Sequence, residues 1–349
     1  MFILVINPGS TSTKLAVFHN EISIAHTTLR HMKEELEQFK NIWEQFSFRL
    51  LLCHEWISSQ RKKYDAVVAT GGLLRPLTGG TYLINEAMLN DARNNIQGEH
   101  ASNLGCALVY EIAKEFHCPA FVVDPVSVDE FEPLARYSGH PLIARKSLSH
   151  ALNIHATARR AALELHIDFA ASSFIVCHLG GGISIAPVRN GKIIDVNDAA
   201  SDGPFSPERT GGLPMQQFIS LCVSAQYSEK ELRKLVMGNG GLAAYLGTNS
   251  AFETENKIIA GDEKAKEIFE AMAYQIAKEI GAMATVLRGN VDAIVLTGGL
   301  AQSRMLMEWI IPRVQFLAPI KIFPGEDEMQ ALAGGALRAL QLHEQPKQY

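Results

Sequence analysis

The chain has 349 residues, of which 47% are hydrophobic and 20% charged, and a formal net charge of -5. That length exceeds what a single hydrophobic core usually serves, so two domains are expected, and the composition excludes a disordered chain. A negative balance with no basic cluster larger than Arg61-Lys62-Lys63 argues against nucleic acid, whose binding requires many phosphates to be neutralised together.

In chain order, the apolar run 2–6 (FILVI) reads as a buried strand. It lacks a basic flank and stops at Asn7-Pro8-Gly9, so it is too short for a signal peptide or a membrane span. The polar turn 7–14 (NPGSTSTK) follows, then LAVF and EISIAHTTL with strand patterning. One long helix is expected over 33–60, a strand over 65–70, a helix over 101–116 and a strand over 120–124. Helical periodicity runs through 149–163. The strand 174–178 (FIVCH) then enters Leu179-Gly180-Gly181-Gly182 and is followed by ISIAPV, the hairpin signal Asn190-Gly191 and KIIDV. Helices over 215–222 and 264–288, a strand over 292–299, a helix over 302–316, the strand IKIF and a last helix from Glu328 complete the reading. Such alternation implies α/β domains with mixed sheets. Strand, turn, strand, turn, strand occurs twice, which suggests an internal duplication; on pattern alone, two unrelated hairpins read the same way.

The chemistry of the two turns favours duplication. In the first, Gly9 and the hydroxyls of Ser10, Thr11, Ser12 and Thr13 place small side chains and exposed N–H groups on a tight bend beside Lys14, a bend suited to phosphate oxygens. In the second, Gly180, Gly181 and Gly182 remove every Cβ, so that a polyphosphate can approach the backbone, with His178 at the strand end. Neither turn has the Walker A spacing or the G-x-G-x-x-G fingerprint, which excludes P-loop and Rossmann readings. A third site, Thr297-Gly298-Gly299, ends a buried strand and opens a helix, where missing side chains would admit a base or ribose. The five cysteines, Cys53, Cys106, Cys118, Cys177 and Cys222, are scattered without a C-x-x-C pair, which fits a reducing, cytoplasmic compartment.

Together these three sites resemble the superfamily of acetate and sugar kinases, heat-shock chaperones and actin. NPGSTSTK, HLGGGISI and TGGLAQS are similar to the acetate and butyrate kinase family, and TGGLLRPLTGGTY (70–82) and DGPFSPERTGGLP (202–214) to its butyrate kinase branch. The resemblance covers nearly the whole chain. It implies two duplicated actin-like (ribonuclease H-like) ATPase domains with mixed sheets and an interdomain cleft. The N-terminal domain is expected over 1–149, with the helix at 329–349 returning to it, and the C-terminal domain over 150–328. The implied activity is reversible transfer of the γ-phosphoryl group of ATP, with Mg2+, to butyrate or another short fatty acid, giving an acyl phosphate.

Such a reaction joins two anions, so arginines and a divalent metal are needed to offset repulsion. The acceptor carboxylate is ionised at neutral pH and needs no general base. Arg75, in a Gly-rich loop, suits bidentate grip of the substrate carboxylate, unless it is simply a surface arginine. By resemblance, Arg209 faces the transferring phosphoryl group, Asp124 orients magnesium through water, Asn7 and Glu328 serve the metal, and Lys14 belongs to the first phosphate hairpin. Helix capping is the other reading of Asp124, and Glu326, Asp327 and Glu328 crowd together at a helix start that favours acidic residues in any case. His100 corresponds to a substrate-side histidine and His178 to one at the phosphates. His150 is favoured over His155 for the site, although the spacing departs from the acetate kinase pattern. Ser10, Ser12, Gly180, Gly181, Gly182, Gly298 and Gly299 complete the nucleotide set, and Leu73, Leu74, Leu77 and Tyr82 are candidates for the acyl pocket.

Acetate, propionate and branched-chain carboxylate kinases share this mechanism and differ only in that pocket. A sugar kinase would need a general base, an alternative that Asp124 leaves open, and an actin-like ATP-binding switch would have no use for two arginines placed to hold an acceptor anion. The resemblance further implies a homodimer or larger assembly formed through the second domain.

Overall fold

The computed structural model describes residues 1–349. The strands, in chain order, are β1 (Phe2–Pro8), β2 (Ser12–His19), β3 (Ile22–Arg30), β4 (Ala66–Ala69), β5 (Thr81–Leu83), β6 (Ala120–Val123), β7 (Tyr137–His140), β8 (Ile143–Ala144), β9 (Ser173–Leu179), β10 (Ile183–Arg189), β11 (Lys192–Ile193), β12 (Ala293–Gly298), β13 (Ile320–Pro324) and β14 (Lys347–Gln348). They fall in two compact units: Met1–Asp129 with Asp327–Tyr349, and Glu130–Glu326.

The first unit is a seven-stranded sheet in the order β14-β5-β6-β4-β1-β2-β3. β1 is antiparallel to β2 and parallel to β4. Its central strands are continuously apolar because both faces are covered. Leu4, Ile6, Leu15, Val17, Val67 and Val122 pack with the helices Phe46–Gln60 and Leu104–Phe116. The helix Glu328–Leu340 packs against β1, β4 and β6, so closely that a Cβ on Gly335 would lie 2.6 Å from Val123.

The second unit repeats the arrangement in a five-stranded sheet, β11-β10-β9-β12-β13, with β9 antiparallel to β10 and parallel to β12. Ile175, Cys177, Leu179, Ile183 and Ile185 meet the helices Glu263–Val286 and Arg304–Val314, and the helix Ala151–Leu165 packs on β9 and β12. Burying each such Leu or Ile contributes about 1.5–3 kcal/mol.

Three local expectations are corrected. The stretch 33–60 is not one helix: a turn of helix at Lys33–Leu36 ends, and Asn41, whose side chain accepts the Glu44 N–H, starts a new 3-10 turn leading into Phe46–Gln60. Amphipathic spacing hid this cap. Of KIIDV, only Lys192–Ile193 joins the sheet. Beyond it, Asn197 replaces the ladder, accepting the Ile185 N–H at 2.7 Å and donating to the Ile183 carbonyl at 2.9 Å. The units part after Asp129, whereas the sequence suggested 149. Residues 130–149 are fixed to the second unit: Glu130 accepts the Ile193 N–H at 2.8 Å, and Arg145 binds Asp195 at 2.8 Å. Helices at Glu86–Arg93, Glu229–Val236, Gly241–Leu246 and Ala251–Ile259 were not read from the sequence, although Ser228 and Glu231 form a capping box at the start of the second. No helix is long and apolar enough to cross a membrane.

Candidate active site

In the first unit, the β1–β2 register pairs Asn7 with Lys14 at the mouth of the hairpin. Glu328, first residue of the last helix, is drawn to both: its Oε2 accepts from Asn7 Nδ2 at 2.9 Å and lies 3.9 Å from Lys14 Nζ. Thr70 Oγ1 lies 3.4 Å from Asn7 Oδ1. Ser10 and Thr11 are exposed at the tip, and Ser12 is half-buried. The three crowded acids separate: Glu328 joins this group, Asp327 occupies the N-cap position, and Glu326 lies in the second unit.

Asp124 follows β6 with φ +40°, a conformation that costs about 1–3 kcal/mol in a non-glycine residue. Its buried carboxylate caps no helix; Oδ1 accepts the Gly80 N–H at 2.6 Å and so anchors the Gly-rich loop. At the other end of that loop, Asn103 Oδ1 accepts the Leu73 N–H at 2.8 Å, and a Cβ on Gly72 would fall 2.0 Å from it.

Arg75 is exposed on the loop and is held by Asp91, with Nε at 2.7 Å and Nη2 at 2.5 Å from Oδ2, while its guanidinium lies 4.8 Å above the Tyr349 ring. These hydrogen bonds raise its pKa above the ordinary arginine value, Asp91 contributing most. His100 caps the short turn Ala101–Asn103, with Nδ1 2.7 Å from Ser102 Oγ. Of the four acyl-pocket candidates, Leu74 and Tyr82 are core residues of the unit, and Leu73 and Leu77 are half-buried.

In the second unit, three side chains fill the places that the glycines leave open. A Cβ on Gly180 would lie 2.9 Å from His178 Nε2, one on Gly181 3.0 Å from Glu208 Oε1, and one on Gly182 2.4 Å from Arg209 Nη1. Gly182 therefore lets the Arg209 guanidinium lie against the turn. Arg209 Nη1 donates to the Ala199 carbonyl at 3.0 Å, whereas its buried Nε has no hydrogen-bond partner. Burial lowers its pKa below the ordinary value. Ser206 Oγ ties the two segments together, donating to the Gly181 carbonyl at 2.5 Å and accepting the Arg209 N–H at 3.2 Å.

His178 Nδ1 is 2.9 Å from Asn153 Oδ1, and Nε2 is 3.3 Å from Glu326 Oε1. His150 stacks on His178 with ring centroids 3.8 Å apart, and its Nδ1 is 2.9 Å from Ser184 Oγ. Burial, then His178, then Arg209 hold its pKa well below the ordinary value of 6.5, which keeps the ring neutral. His155 instead lies in the interior, 3.4 Å from Glu130. Gly298, at φ +89°, lets β12 approach β9, since a Cβ there would be 2.3 Å from the Leu179 carbonyl oxygen, while a Cβ on Gly299 would meet nothing within 4 Å. The protein's own packing leaves the space over Gly299 open.

Residues 140–325 match the model of the acetokinase family. The chain is 51% identical over 351 residues to a probable butyrate kinase of Listeria innocua and 50% identical to butyrate kinase 2 of Clostridium acetobutylicum, each alignment covering 99% of both chains.

This chain belongs to the acetokinase family.

The acetokinase fold is shown independently by solved structures. Acetate kinase of Porphyromonas gingivalis superposes with a TM-score of 0.79 at 16% identity, covering 96% of this chain and 98% of that one. Propionate kinase of Francisella tularensis gives 0.75 at 20% identity, with 95% and 98% covered. The chain thus has the actin-like fold of the acetokinases, with its mixed sheet built twice.

Sequence reasoning missed several residues of this chain. Asn103, Ser206, Asp91 and Tyr349 act through contacts distant in sequence and carry no local signal. Arg49 had one: Arg49, Cys53 and Ile57 are buried at i, i+4 and i+8 of their helix, so a charge stands on the core stripe.

Proposed function

We propose that this chain is a butyrate kinase, transferring the γ-phosphoryl group of ATP reversibly to butyrate or a short linear or branched homologue. The observation that carries this reading is identity of about half, over the full length of both chains, with proteins named butyrate kinase. The first unit carries the substrate side and the first phosphate hairpin, and the second unit the nucleotide side.

In the reaction, an oxygen of the ionised carboxylate attacks the γ-phosphorus, the bond to ADP breaks, and no proton need move. Arg75, braced by Asp91 through Nε and Nη2, receives the substrate carboxylate through the Nη1 donors that this contact leaves open. Arg209 has a buried donor with no protein acceptor, suited to charge that grows on the transferring phosphoryl group. His150, kept neutral, donates a hydrogen bond without adding a cation. In the second unit, His178 and the turn at Gly180, Gly181 and Gly182 are assigned to phosphate, and Gly298 and Gly299 to the base and ribose; in the first unit, Ser10, Ser12 and Lys14 are assigned to phosphate. His100 lies on the substrate side, and Asp124 keeps the acceptor loop in place.

No group of three His, Cys, Asp or Glu side chains could cage a metal. Asn7 and Glu328 suit Mg2+, which keeps several waters and binds through one or two protein oxygens plus substrate phosphates. Bound there, magnesium would offset the charge of the phosphates.

The helix Met215–Val223 buries none of its residues and exposes Met215, Ile219 and Val223; Tyr245 and Phe252 are exposed as well. We assign this surface to self-association, as a dimer or a larger assembly. All five cysteines are free, in keeping with a cytoplasmic enzyme.

A coupled assay of ADP release, run with acetate, propionate, butyrate, isobutyrate or glucose, tests the reading. Highest kcat/KM with a four-carbon acid supports it. A preference for glucose, or hydrolysis independent of any acceptor, overturns it.

A further inference from the structure

Arg49 lies fully buried beneath the first hairpin turn and faces only neutral acceptors. Nη1 reaches the carbonyls of Gly9 at 2.8 Å and Ser12 at 3.2 Å and the Thr13 hydroxyl at 3.2 Å. Nη2 donates to the Ser10 carbonyl at 3.2 Å and to Gln45 Oε1 at 2.8 Å, and Nε donates to the same Gln45 oxygen at 3.1 Å. The remaining turn carbonyl, that of Thr11, accepts the His31 N–H at 2.9 Å. Every carbonyl from Gly9 to Ser12 is therefore turned inward onto a protein donor. The N–H groups of Ser10 and Thr11 make no bond to the backbone, and both residues are exposed.

A buried charge ordinarily sits beside a countercharge. Arg49 has no carboxylate within ion-pair distance, and the only ionisable side chain hydrogen-bonded within its network, His31, bonds to Thr13 and is held neutral by its surroundings. The guanidinium thus does two things for the turn. It draws the carbonyls in, which points the amides out, and it leaves an unbalanced positive charge directly under them.

We propose that Arg49 is a positioning residue of the phosphate site, shaping the 9–12 turn into an anion-binding nest and supplying buried positive charge whose countercharge is a nucleotide phosphate. This rests on the reading of the hairpin as a nucleotide site. It adds a residue that never touches the ligand and lies 40 positions from the turn.

The test is calorimetric titration of magnesium ATP without acceptor, together with steady-state kinetics and thermal melting, on Arg49→Met, Arg49→Lys and Gln45→Glu. Gln45→Glu retains the guanidinium and its hydrogen bonds but gives it a local countercharge. Expected are ATP affinity weakened about ten-fold or more in Arg49→Met, partial recovery in Arg49→Lys, and weakened affinity in Gln45→Glu with a melting temperature at or above that of the wild type. The KM for butyrate should change less than two-fold in each. If Arg49→Met does not fold, Gln45→Glu decides alone, since a purely structural arginine would gain stability from the new pair without losing ATP. Wild-type ATP affinity in Gln45→Glu overturns the proposal. A wild-type enzyme that binds ATP yet phosphorylates no carboxylate would overturn the proposed activity and leave this assignment to the affinities.

Discussion

The imidazole of His150 lies flat on that of His178, with centroids 3.8 Å apart and planes inclined by 12°. Two stacked rings beside Arg209 cannot all be cationic at modest cost, and the structure resolves this by keeping His150 neutral. The consequence for stability has a definite sign. A base whose pKa is depressed on folding contributes stability above its ordinary value of 6.5 and loses it as pH falls below that value. His31, depressed to about 4, acts in the same direction. The melting temperature of the wild type should therefore fall between pH 7 and pH 5. His150→Gln, which retains a partner for Ser184, should show a shallower fall in that window. An unchanged slope would contradict the assignment.

Gly182 can be tested by a single methyl. A Cβ there would lie 2.4 Å from Arg209 Nη1, against the guanidinium itself. Gly182→Ala should displace Arg209 and lower kcat by about 100-fold, the scale of losing one transition-state donor, with the KM for butyrate little changed. Stopped-time assays at saturating ATP would measure it.

Arg75 holds Asp91 through two nitrogens, a geometry that an ammonium cannot copy. Arg75→Lys should lower kcat/KM for butyrate by about 10- to 100-fold, the value of a charged hydrogen bond, and leave the KM for ATP unchanged. An equal loss for both substrates would point to the fold rather than to the acceptor.

Most of the strands and both Gly-rich turns were legible because their signals are local: apolar runs of strand length, closed by small and polar residues; β5, β7, β8 and β14 were not read. The long-range pairings were not. Asn7 and Glu328 meet across 321 positions, and only the resemblance to a family suggested both. The merged helix at 33–60 failed because Asn41 and Glu44, which cap a new turn, sit within a continuous apolar periodicity. Arg49 was overlooked for a related reason. A lone arginine in a helical stretch reads as a surface residue unless it is set on the stripe that it shares with Cys53 and Ile57.

The exposed apolar helix Met215–Val223 gives a separate prediction. Replacing Met215 and Val223 together by Asp should reduce the particle mass measured by light scattering from a dimer or larger species to a monomer, with helix content retained. A wild-type protein that is already monomeric at micromolar concentration would contradict the assignment of that surface.

The most direct test of the whole account is trapping of the product with hydroxylamine, from ATP, magnesium and butyrate. Butyryl hydroxamate formed at a rate matching ADP release, and lost in both Arg75→Ala and Arg209→Ala, is the result the account predicts. ADP release without hydroxamate, or hydroxamate undiminished in the two variants, would contradict it.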